Sequence, residues 1–356
     1  MAFEQDDYLS RPFRAGGMDL GSKLEELLQL LVPESSPNRE LYQSMLTTVA
    51  RMAQADRNRW DAKIMAQALR ELERSFSALD TFKRRRKVTV FGSARTPIDH
   101  PLYALAVKLG ELLAKRDLMV ITGAGGGIMA AAHEGAGLEN SIGLNITLPF
   151  EQHANATVEG TDNLLSFHFF FTRKLFFVKE ADALVLCPGG FGTLDEALEV
   201  LTLIQTGKSP LVPVILLDEP GGTYWQDTLD FMERQLLGHR YILPSDLHLM
   251  RLVHSAEDAV AEIAHFYSNY HSSRWLKGEY ILRMNHALNE AALGRLHEEF
   301  TDLCLDGGFT QHIGCQTGED DAELSRLPRL MFTFNARDHG RLRELLDVVN
   351  DKANWA

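Results

Sequence analysis

The stretch ALVLCPGGFGTLDE, residues 183–196, joins a short apolar run to an amphipathic run through a turn that holds three glycines. A short apolar run that ends in a glycine turn is typical of a buried strand, and the residues after the turn have helical spacing. Gly189, Gly190 and Gly192 let the backbone turn its N–H groups inward, and the helix beginning near Thr193 points the positive end of its dipole at the same place. The stretch predicts a strand, an anion-binding loop and a helix.

The same alternation continues on both sides of this stretch. Apolar runs occur at 88–95, 118–127, 141–149, 183–190 and 210–218, with amphipathic segments between most of them. Near-continuous apolar strands alternating with helices predict a Rossmann-like, doubly wound α/β domain, whose parallel sheet is covered on both faces. Such sheets bind ligands at the carboxyl ends of their strands, so we expect the site where the glycine-bearing loops converge.

Two further segments flank this domain. Residues 1–82 are predicted to form a flexible tail followed by a helical N-terminal segment, because runs such as LEELLQLL have helical period and few breakers. Residues 83–271 would form the Rossmann-like domain. The pattern of residues 272–356 indicates the order β-α-β-β-α, which predicts a small α+β module of ferredoxin-like or ACT-like type.

Composition limits the partners of the chain. Its 356 residues leave room for two domains, and 36 Lys+Arg against 49 Asp+Glu give a net charge of −13. Such a molecule repels polyanions, so we expect neither a nucleic acid nor a membrane partner, and an anionic ligand must be met by a local site. The basic run KRRRK at 83–87 leaves open a nucleic-acid patch or a signal for nuclear import, but a solvated boundary before the first strand is favoured.

The cysteines and the amino-terminal sequence indicate a cytoplasmic protein. Cys187, Cys304 and Cys315 are few, odd in number and without a C-x-x-C pair, which argues against disulfides and structural zinc. The first residues lack an apolar signal region, and no apolar run is long enough to span a membrane. The histidines lack metal-ligand spacing, so we expect no catalytic metal. Cys187 could be a nucleophile, but a buried strand cysteine is favoured.

Two interpretations of Glu196 are left open by its spacing. Thr193 and Glu196 form a T-x-x-E pattern. In a capping box, the two side chains of this pattern accept hydrogen bonds from backbone N–H groups at the start of a helix. A carboxylate beside a phosphate-binding loop is electrostatically unfavourable, however, unless it contacts a cationic or hydroxyl-bearing part of the ligand. Glu196 is therefore also a candidate for chemistry on such a ligand.

Arg173 and Lys174 end the run FFFTRK, residues 169–174, and are the basic residues nearest before the glycine loop. A guanidinium can bind phosphate with two hydrogen bonds or polarise a leaving group, although a pair of solvated helix charges is the alternative. The phenylalanines around them are interpreted as core residues in preference to a base-stacking platform.

A second glycine loop, GAGGG at 123–127, precedes the helix IMAAAHEGAG. The frame from Gly125 to Ala130 fits a dinucleotide fingerprint, but it follows the second strand, and Asn145 stands where an acid for the ribose would be expected. We therefore predict a second phosphate or ribose loop at Gly125, Gly126 and Gly127, and no NAD site.

The element PGGFGTLDE, together with the Arg173–Lys174 pair and the stretches FGSAR, TGAGGGIMAAAHEGA and LNITLPFEQ, resembles the LONELY GUY (LOG) family of Rossmann-like phosphoribohydrolases. The resemblance covers roughly residues 88–268. Longer bacterial members of that family have been labelled lysine decarboxylase-like. The resemblance implies hydrolysis of the N-glycosidic bond of a nucleoside 5′-monophosphate, either AMP or a cytokinin riboside 5′-monophosphate, to free base and ribose 5-phosphate.

Matched residue by residue, the resemblance also implies roles. Arg173 and Glu196 would be catalytic. The phosphate and the rest of the nucleotide would be bound by Ser93, Gly125, Gly126, Gly127, Lys174, Gly189, Gly190, Gly192 and Thr193. No cofactor is expected, because the decarboxylase label requires pyridoxal phosphate on a lysine and no such pattern surrounds Lys174. Family members pair through helices beside the active site, which implies a homodimer or higher homo-oligomer.

A non-catalytic nucleotide sensor or cofactor carrier on the same fold is the alternative function. A carrier needs the glycine loop that binds phosphate but does not need the Glu196 carboxylate. The presence of both Arg173 and Glu196 therefore favours an enzyme. The helical N-terminal segment and the C-terminal module have no place in the short cytokinin-activating members. A role in nucleotide salvage on AMP therefore fits at least as well as cytokinin activation.

Overall fold

The computed structural model describes residues 20–148, 153–314 and 324–356. The predicted flexible tail and Cys315 lie outside these ranges. The chain divides into two compact units, Met1–Arg70 and Glu71–Ala356. The predicted domain boundaries at 82/83 and 271/272 stay predictions.

The predicted helical N-terminal segment is confirmed. It contains α1 (Leu20–Leu31), α2 (Arg39–Ala55) and α3 (Arg59–Asp80). Arg39 at the start of α2 binds the Glu25 carboxylate at 2.8 Å and the Val32 carbonyl at 2.8 Å, which ties α2 to α1. No helix of the described residues is long and apolar enough to cross a membrane.

The predicted parallel sheet is also confirmed, with seven strands in the order β4-β3-β2-β1-β5-β6-β7. The strands are β1 (Lys87–Phe91), β2 (Met119–Thr122), β3 (Ser141–Ile146), β4 (Leu164–Phe167), β5 (Ala183–Leu186), β6 (Val214–Leu217) and β7 (Met250–Val253). The sequence did not predict β4 and β7. Both lie at sheet edges, where exposed residues such as Ser166 and Arg251 interrupt the apolar run.

Helices cover both faces of this sheet, as predicted. They are α4 (Pro101–Lys115), α5 (Ile128–Ala136), α6 (Phe170–Glu180), α7 (Phe191–Gln205), α8 (Tyr224–Phe231) and α9 (Ala256–Phe266). Successive residues of a strand point to opposite faces, so Met119 and Ile121 join one hydrophobic cluster while Val120 joins another. The sheet is therefore buried on both sides.

Strand order reverses at β1, which pairs with β2 on one side and with β5 on the other. Phe91 and Leu186 end these two strands side by side. The loops that follow are joined directly, because the Ser93 N–H donates to the Pro188 carbonyl at 3.1 Å. Ligands of open α/β sheets bind at such a switch point, so the fold places the candidate site here.

The C-terminal residues form a four-stranded antiparallel sheet in the order β10-β11-β9-β8. Its elements are β8 (Tyr270–Leu276), β9 (Glu279–Met284), α10 (Glu290–Glu299), β10 (Thr310–Ile313), β11 (Pro328–Phe332) and α11 (His339–Asn350). The predicted β-α-β-β-α order is present, preceded by the additional strand β8. One continuous hydrophobic cluster contains residues of both sheets, including Leu186 of the first and Leu282 of the second.

The basic run at 83–87 is largely neutralised within the fold. Four of its residues pair with carboxylates: Lys83 with Asp80, Arg85 with Asp117, Arg86 with Asp182 and Lys87 with Glu180. The Arg86 guanidinium also lies 3.6 Å from the centre of the Tyr267 ring. The run is thus the boundary before β1, and Lys87, which we expected to be solvated, is buried in the strand itself.

Candidate active site

A cavity of about 740 Å³ opens at the carboxyl ends of β1 and β5. Seven of the predicted site residues line it: Ser93, Arg173, Gly189, Gly190, Gly192, Thr193 and Glu196. The structure therefore brings together the loop after β1, the loop after β5, and the helices α6 and α7. This is the convergence that the strand pattern predicted.

The start of α7 faces this cavity. The helix begins at Phe191 with Gly190 at its N-cap, so it starts two residues earlier than the sequence suggested. The first N–H groups of a helix have no partner inside the helix, and its dipole adds positive potential at the same end. Gly190, Phe191, Gly192 and Thr193 all line the cavity. This end of the cavity is therefore suited to bind a phosphate.

Gly189 is required by a close approach between loops. A Cβ atom at this position would lie 2.2 Å from the Thr193 Oγ1 and 3.0 Å from the Ser93 backbone N. The Gly189 carbonyl in turn accepts a hydrogen bond of 2.7 Å from the Tyr224 hydroxyl. These contacts fix the orientation of the peptide that leads into the start of α7.

Arg173 is a partly buried cation with an unused donor. Its guanidinium lies 5.0 Å from the centre of the Phe170 ring and 5.3 Å from that of Phe177. Its Nε is buried and has no hydrogen-bond partner among the described residues. Burial lowers the pKa of Arg173, whereas Glu196 and Asp195 raise it. An arginine stays cationic at neutral pH even so, which leaves its charge available to a ligand.

Glu196 is 4% exposed, although it carries a carboxyl group. Burial raises its pKa to about 7, against the opposing effect of Lys174 and Arg173. Its Oε2 is buried without a hydrogen-bond partner in the part of the chain that the structure describes. The helix start at Phe191 places Glu196 too far along α7 to close a capping box. The carboxyl is instead able to exchange a proton near neutral pH.

Lys174 does not line the cavity. Its Nζ lies 2.8 Å from the Asp195 Oδ2 and 2.8 Å from the Glu199 Oε2. These two ion pairs join α6, which carries Arg173, to α7, which carries Glu196. The structure thus places Lys174 between the two helices that carry the candidate catalytic residues.

Gly125, Gly126 and Gly127 also lie outside the cavity lining, although Gly123 of the same loop is part of it. Gly127 has φ of +59°, and a Cβ there would lie 2.2 Å from the Ser93 carbonyl oxygen. The Ile128 N–H donates to that same oxygen at 3.0 Å. The second glycine loop therefore packs closely against the Ser93 loop.

A buried histidine, which the sequence did not single out, supports the second glycine loop. His133 lies 3.2 Å from the Ile142 carbonyl through its Nε2 and 3.2 Å from the Asn155 amide through its Nδ1. Asn155 donates to the Gly125 carbonyl at 3.2 Å and to the Ala124 carbonyl at 2.8 Å. Burial lowers the pKa of His133 to about 4, so the ring is neutral at pH 7.

Other cavity residues were also missed. Arg95 is an exposed cation that lines the cavity two residues after Ser93. Tyr224 reaches the cavity from α8, and Phe91, Met129, Phe177 and Leu194 add an apolar wall. Arg95 lies within the quoted stretch FGSAR and could have been found there. Tyr224 follows a different strand, so no spacing in the sequence links it to the glycine loop.

Cys187, the alternative nucleophile, is fully buried at the end of the β5 segment. Burial raises the pKa of its thiol to about 12, so the thiolate is not populated at neutral pH. It does not line the cavity. Cys187 is thus a packing residue, as favoured from the sequence.

Residues 126–263 match a family model described as "Possible lysine decarboxylase". A cytokinin riboside 5′-monophosphate phosphoribohydrolase of Arabidopsis thaliana is 30% identical over 162 residues, which cover 44% of this chain and 73% of that protein. A probable enzyme of the same name from Oryza sativa subsp. japonica is 28% identical over 202 residues, covering 55% of this chain and 79% of the relative.

Among solved structures, a molybdenum cofactor binding protein from Rippkaea orientalis is 20% identical and covers 50% of this chain and 94% of its own, with a TM-score of 0.36. The family model spans both Arg173 and Glu196. The Arabidopsis relative shares nearly a third of the aligned residues over most of its length. On these matches, the chain belongs to the LONELY GUY (LOG) family, whose curated relatives are phosphoribohydrolases.

Proposed function

We propose that this protein hydrolyses the N-glycosidic bond of nucleoside 5′-monophosphates and releases a free base and ribose 5-phosphate. One observation carries the proposal. A buried carboxyl with a pKa of about 7 and an arginine with an unused buried donor line the same cavity as the start of α7. Groups with shifted pKa values that converge on a cavity are typical of active sites.

The start of α7 would bind the 5′-phosphate. The cavity of about 740 Å³ falls within the usual range for small-molecule sites, roughly 300–1,000 Å³. The phosphate does not react, so its binding energy can be used to hold the ribose against Glu196. This explains why a nucleotide is the expected substrate in preference to a nucleoside.

Glu196 would act on the ribose. Glycosidic cleavage passes through an oxocarbenium-like ribosyl cation, which an ionised carboxylate stabilises electrostatically. The same carboxylate can accept the proton of the attacking water. A pKa of about 7 leaves a large fraction of Glu196 ionised at neutral pH while keeping it basic enough to take that proton.

Arg173 would orient the nucleotide and assist departure of the base. A fixed guanidinium stabilises negative charge that develops on the leaving base as the glycosidic bond breaks. Because its Nε has no partner among the described residues, binding a substrate atom there would cost no existing hydrogen bond. AMP and a cytokinin riboside 5′-monophosphate are the proposed substrates, and the apolar wall supports binding of a purine.

A decarboxylase activity fits these residues poorly. Pyridoxal phosphate forms a Schiff base with a lysine, and the described cavity lining contains none. Lys174, which follows Arg173 in the sequence, is paired with the Asp195 and Glu199 carboxylates. The mechanism therefore includes no step that needs this cofactor.

A homodimer is also part of the proposal. Exposed apolar side chains occur on α6 at Phe171 and Leu175 and on α7 at Phe191 and Leu198. The Lys174 ion pairs hold these two helices side by side, and exposed apolar patches of this kind mark protein interfaces. The sparse cysteines support a reducing compartment such as the cytoplasm.

The test is to incubate the purified protein with AMP, isopentenyladenosine 5′-monophosphate and the other common monophosphates. Free base and ribose 5-phosphate are followed by chromatography. We expect release from at least one purine monophosphate, and its loss in Glu196→Gln. Glu290→Gln, which changes an exposed glutamate on α10, is the matched control and should leave the rate unchanged. Binding without release would refute the hydrolase and leave the sensor or carrier.

A further inference from the structure

Glu71 is a buried carboxylate on α3, before the stretch that the family model matches. Only 4% of the residue is exposed. Burying a carboxylate is costly unless hydrogen bonds replace its water shell. Its partners therefore indicate what the burial achieves.

Two of those partners lie at the junction between β4 and α6. The Glu71 Oε1 accepts a hydrogen bond of 2.7 Å from the His168 backbone N–H. The Glu71 Oε2 accepts a hydrogen bond from the Thr172 hydroxyl. One carboxylate thus holds a residue just before α6 and a residue in its first turn.

This start of α6 has no capping side chain of its own. Phe169 occupies the N-cap, where a side-chain oxygen is usual, and a phenylalanine offers none. A carboxylate near a helix N-terminus also interacts favourably with the helix dipole. Glu71 supplies from another helix the acceptor and the negative charge that the local sequence lacks.

Arg173 directly follows Thr172. Each residue of a helix is rotated by about 100° from the last, so the orientation of the first turn sets the direction in which the Arg173 guanidinium points. Thr172 is itself 2% exposed, and its hydroxyl also lies 2.9 Å from the carbonyl of Phe169 at the N-cap, so Glu71 and the N-cap meet at one side chain. Small displacements of a catalytic group, on the order of 1 Å, can lower rates about 100-fold.

We propose that Glu71 is a positioning residue, which holds the first turn of α6 through Thr172 and so orients Arg173 toward the base of the nucleotide. The inference rests on the proposed hydrolase function and assigns to α3 a part in it. Glu71 does not line the cavity.

The experiment measures kcat and KM for AMP in Glu71→Ala, Glu71→Gln and Thr172→Val. Glu73→Ala, which changes an exposed glutamate on the same helix, is the matched control. We expect Glu71→Ala and Thr172→Val each to lower kcat by about 10-fold or more, because Arg173 is displaced. Glu71→Gln keeps an acceptor oxygen and should restore most of the rate, and Glu73→Ala should match wild type.

A double variant separates positioning from general destabilisation. If Glu71 acts through Thr172, the loss in Glu71→Ala/Thr172→Val equals that of either single variant, because coupled residues are not additive. Multiplied losses, or a wild-type kcat in Glu71→Ala, would overturn the inference. Should Glu71→Ala not fold, Thr172→Val alone still tests the inference, because a wild-type kcat in Thr172→Val would overturn it.

Ligand affinity distinguishes failure of this inference from failure of the proposed function. Arg173 is assigned to the base side, so Glu71→Ala should weaken AMP binding several-fold, as measured by calorimetry, and leave ribose 5-phosphate binding unchanged. A wild-type protein that cleaves no monophosphate would refute the hydrolase proposal. The AMP affinities of Glu71→Ala and wild type would still test whether Glu71 positions Arg173. Equal affinities of Glu71→Ala and wild type for AMP would refute it.

Discussion

The burial of Glu196 determines how the rate should depend on pH. Its ionised form stabilises the ribosyl cation, so kcat/KM should rise as the pH increases through about 7 and become constant above it. Lys174 lowers the pKa of this carboxyl. Lys174→Met should therefore move the inflection to higher pH, whereas Lys208→Met, an exposed lysine after α7, should not. A pH–rate profile of each variant gives the answer, and an inflection that moves downward in Lys174→Met would contradict this assignment.

The same burial predicts a cost in stability. The pKa of Glu196 is raised from 4.5 to about 7 on folding, so its ionisation in the folded state costs about 3 kcal/mol above pH 7. This cost decreases as the pH falls below 7 and is nearly gone at pH 4.5, where the carboxyl is protonated in the folded state and half protonated in the unfolded state. Glu196→Gln should thus raise the free energy of unfolding at pH 8 by about 1–3 kcal/mol and have little effect at pH 4.5. Denaturant titrations at both pH values measure it.

A lower free energy of unfolding in Glu196→Gln than in wild type at pH 8 would contradict this prediction. It would mean that the carboxylate stabilises the fold, as a capping residue does. One pair of titrations therefore tests the sign of the contribution that the Glu196 charge makes to stability.

At the scale of elements, the loop at 123–127 can pack against the loop that holds Ser93 because Gly127 has no side chain. Gly127→Ala would combine a strained positive φ with a Cβ 2.2 Å from the Ser93 carbonyl oxygen. Gly160→Ala is the matched control, because Gly160 has φ of +72° and open space around its Cβ position. We expect Gly160→Ala to cost about 1–2 kcal/mol from strain alone, and Gly127→Ala to cost more and to lower kcat/KM. Equal costs, measured by thermal unfolding, would argue against the contact.

The strands show which elements a sequence reveals. The five predicted runs are those buried on both faces, since continuous burial selects continuous apolar residues. The edge strands β4 and β7 carry exposed residues and were missed for that reason. The start of α7 was placed near Thr193 because T-x-x-E is typical of a helix N-terminus, whereas the glycines allow the helix to begin at Phe191.

The lining of the candidate site was predictable where it follows local sequence motifs. Arg173 and Glu196 belong to motifs with fixed spacing, and both line the cavity. Tyr224 and His133 act through tertiary contacts that only the folded chain creates. The three glycines at 125–127 were predicted as ligand contacts, and the structure places Gly126 and Gly127 against the loop that holds Ser93.

At the scale of the whole molecule, the net charge of −13 makes the local cations of the site conspicuous. Arg173 and Arg95 line the cavity, while the basic run at 83–87 pairs with carboxylates elsewhere. An anionic ligand therefore finds two cations within the cavity, Arg173 and Arg95. Composition alone predicted this need for a local site.

The exposed apolar side chains of α6 and α7 predict the oligomeric state. Leu175→Glu should convert a dimer to a monomer, because it places a charge within the proposed interface. Leu305→Glu changes a leucine that is exposed in the C-terminal module and is the control. Sedimentation velocity at micromolar concentration measures both. A monomeric wild-type protein, or dissociation by both variants alike, would contradict the proposed interface.

The hydrophobic cluster that runs through both sheets has a consequence for how the protein melts. Leu186 and Leu282 belong to the same continuous core, so neither sheet can lose its packing without exposing apolar surface of the other. Residues 71–356 should then unfold in one cooperative step, with equal calorimetric and van 't Hoff enthalpies. The second sheet would thus share the heat resistance of the first and could not act as a thermally independent appendage.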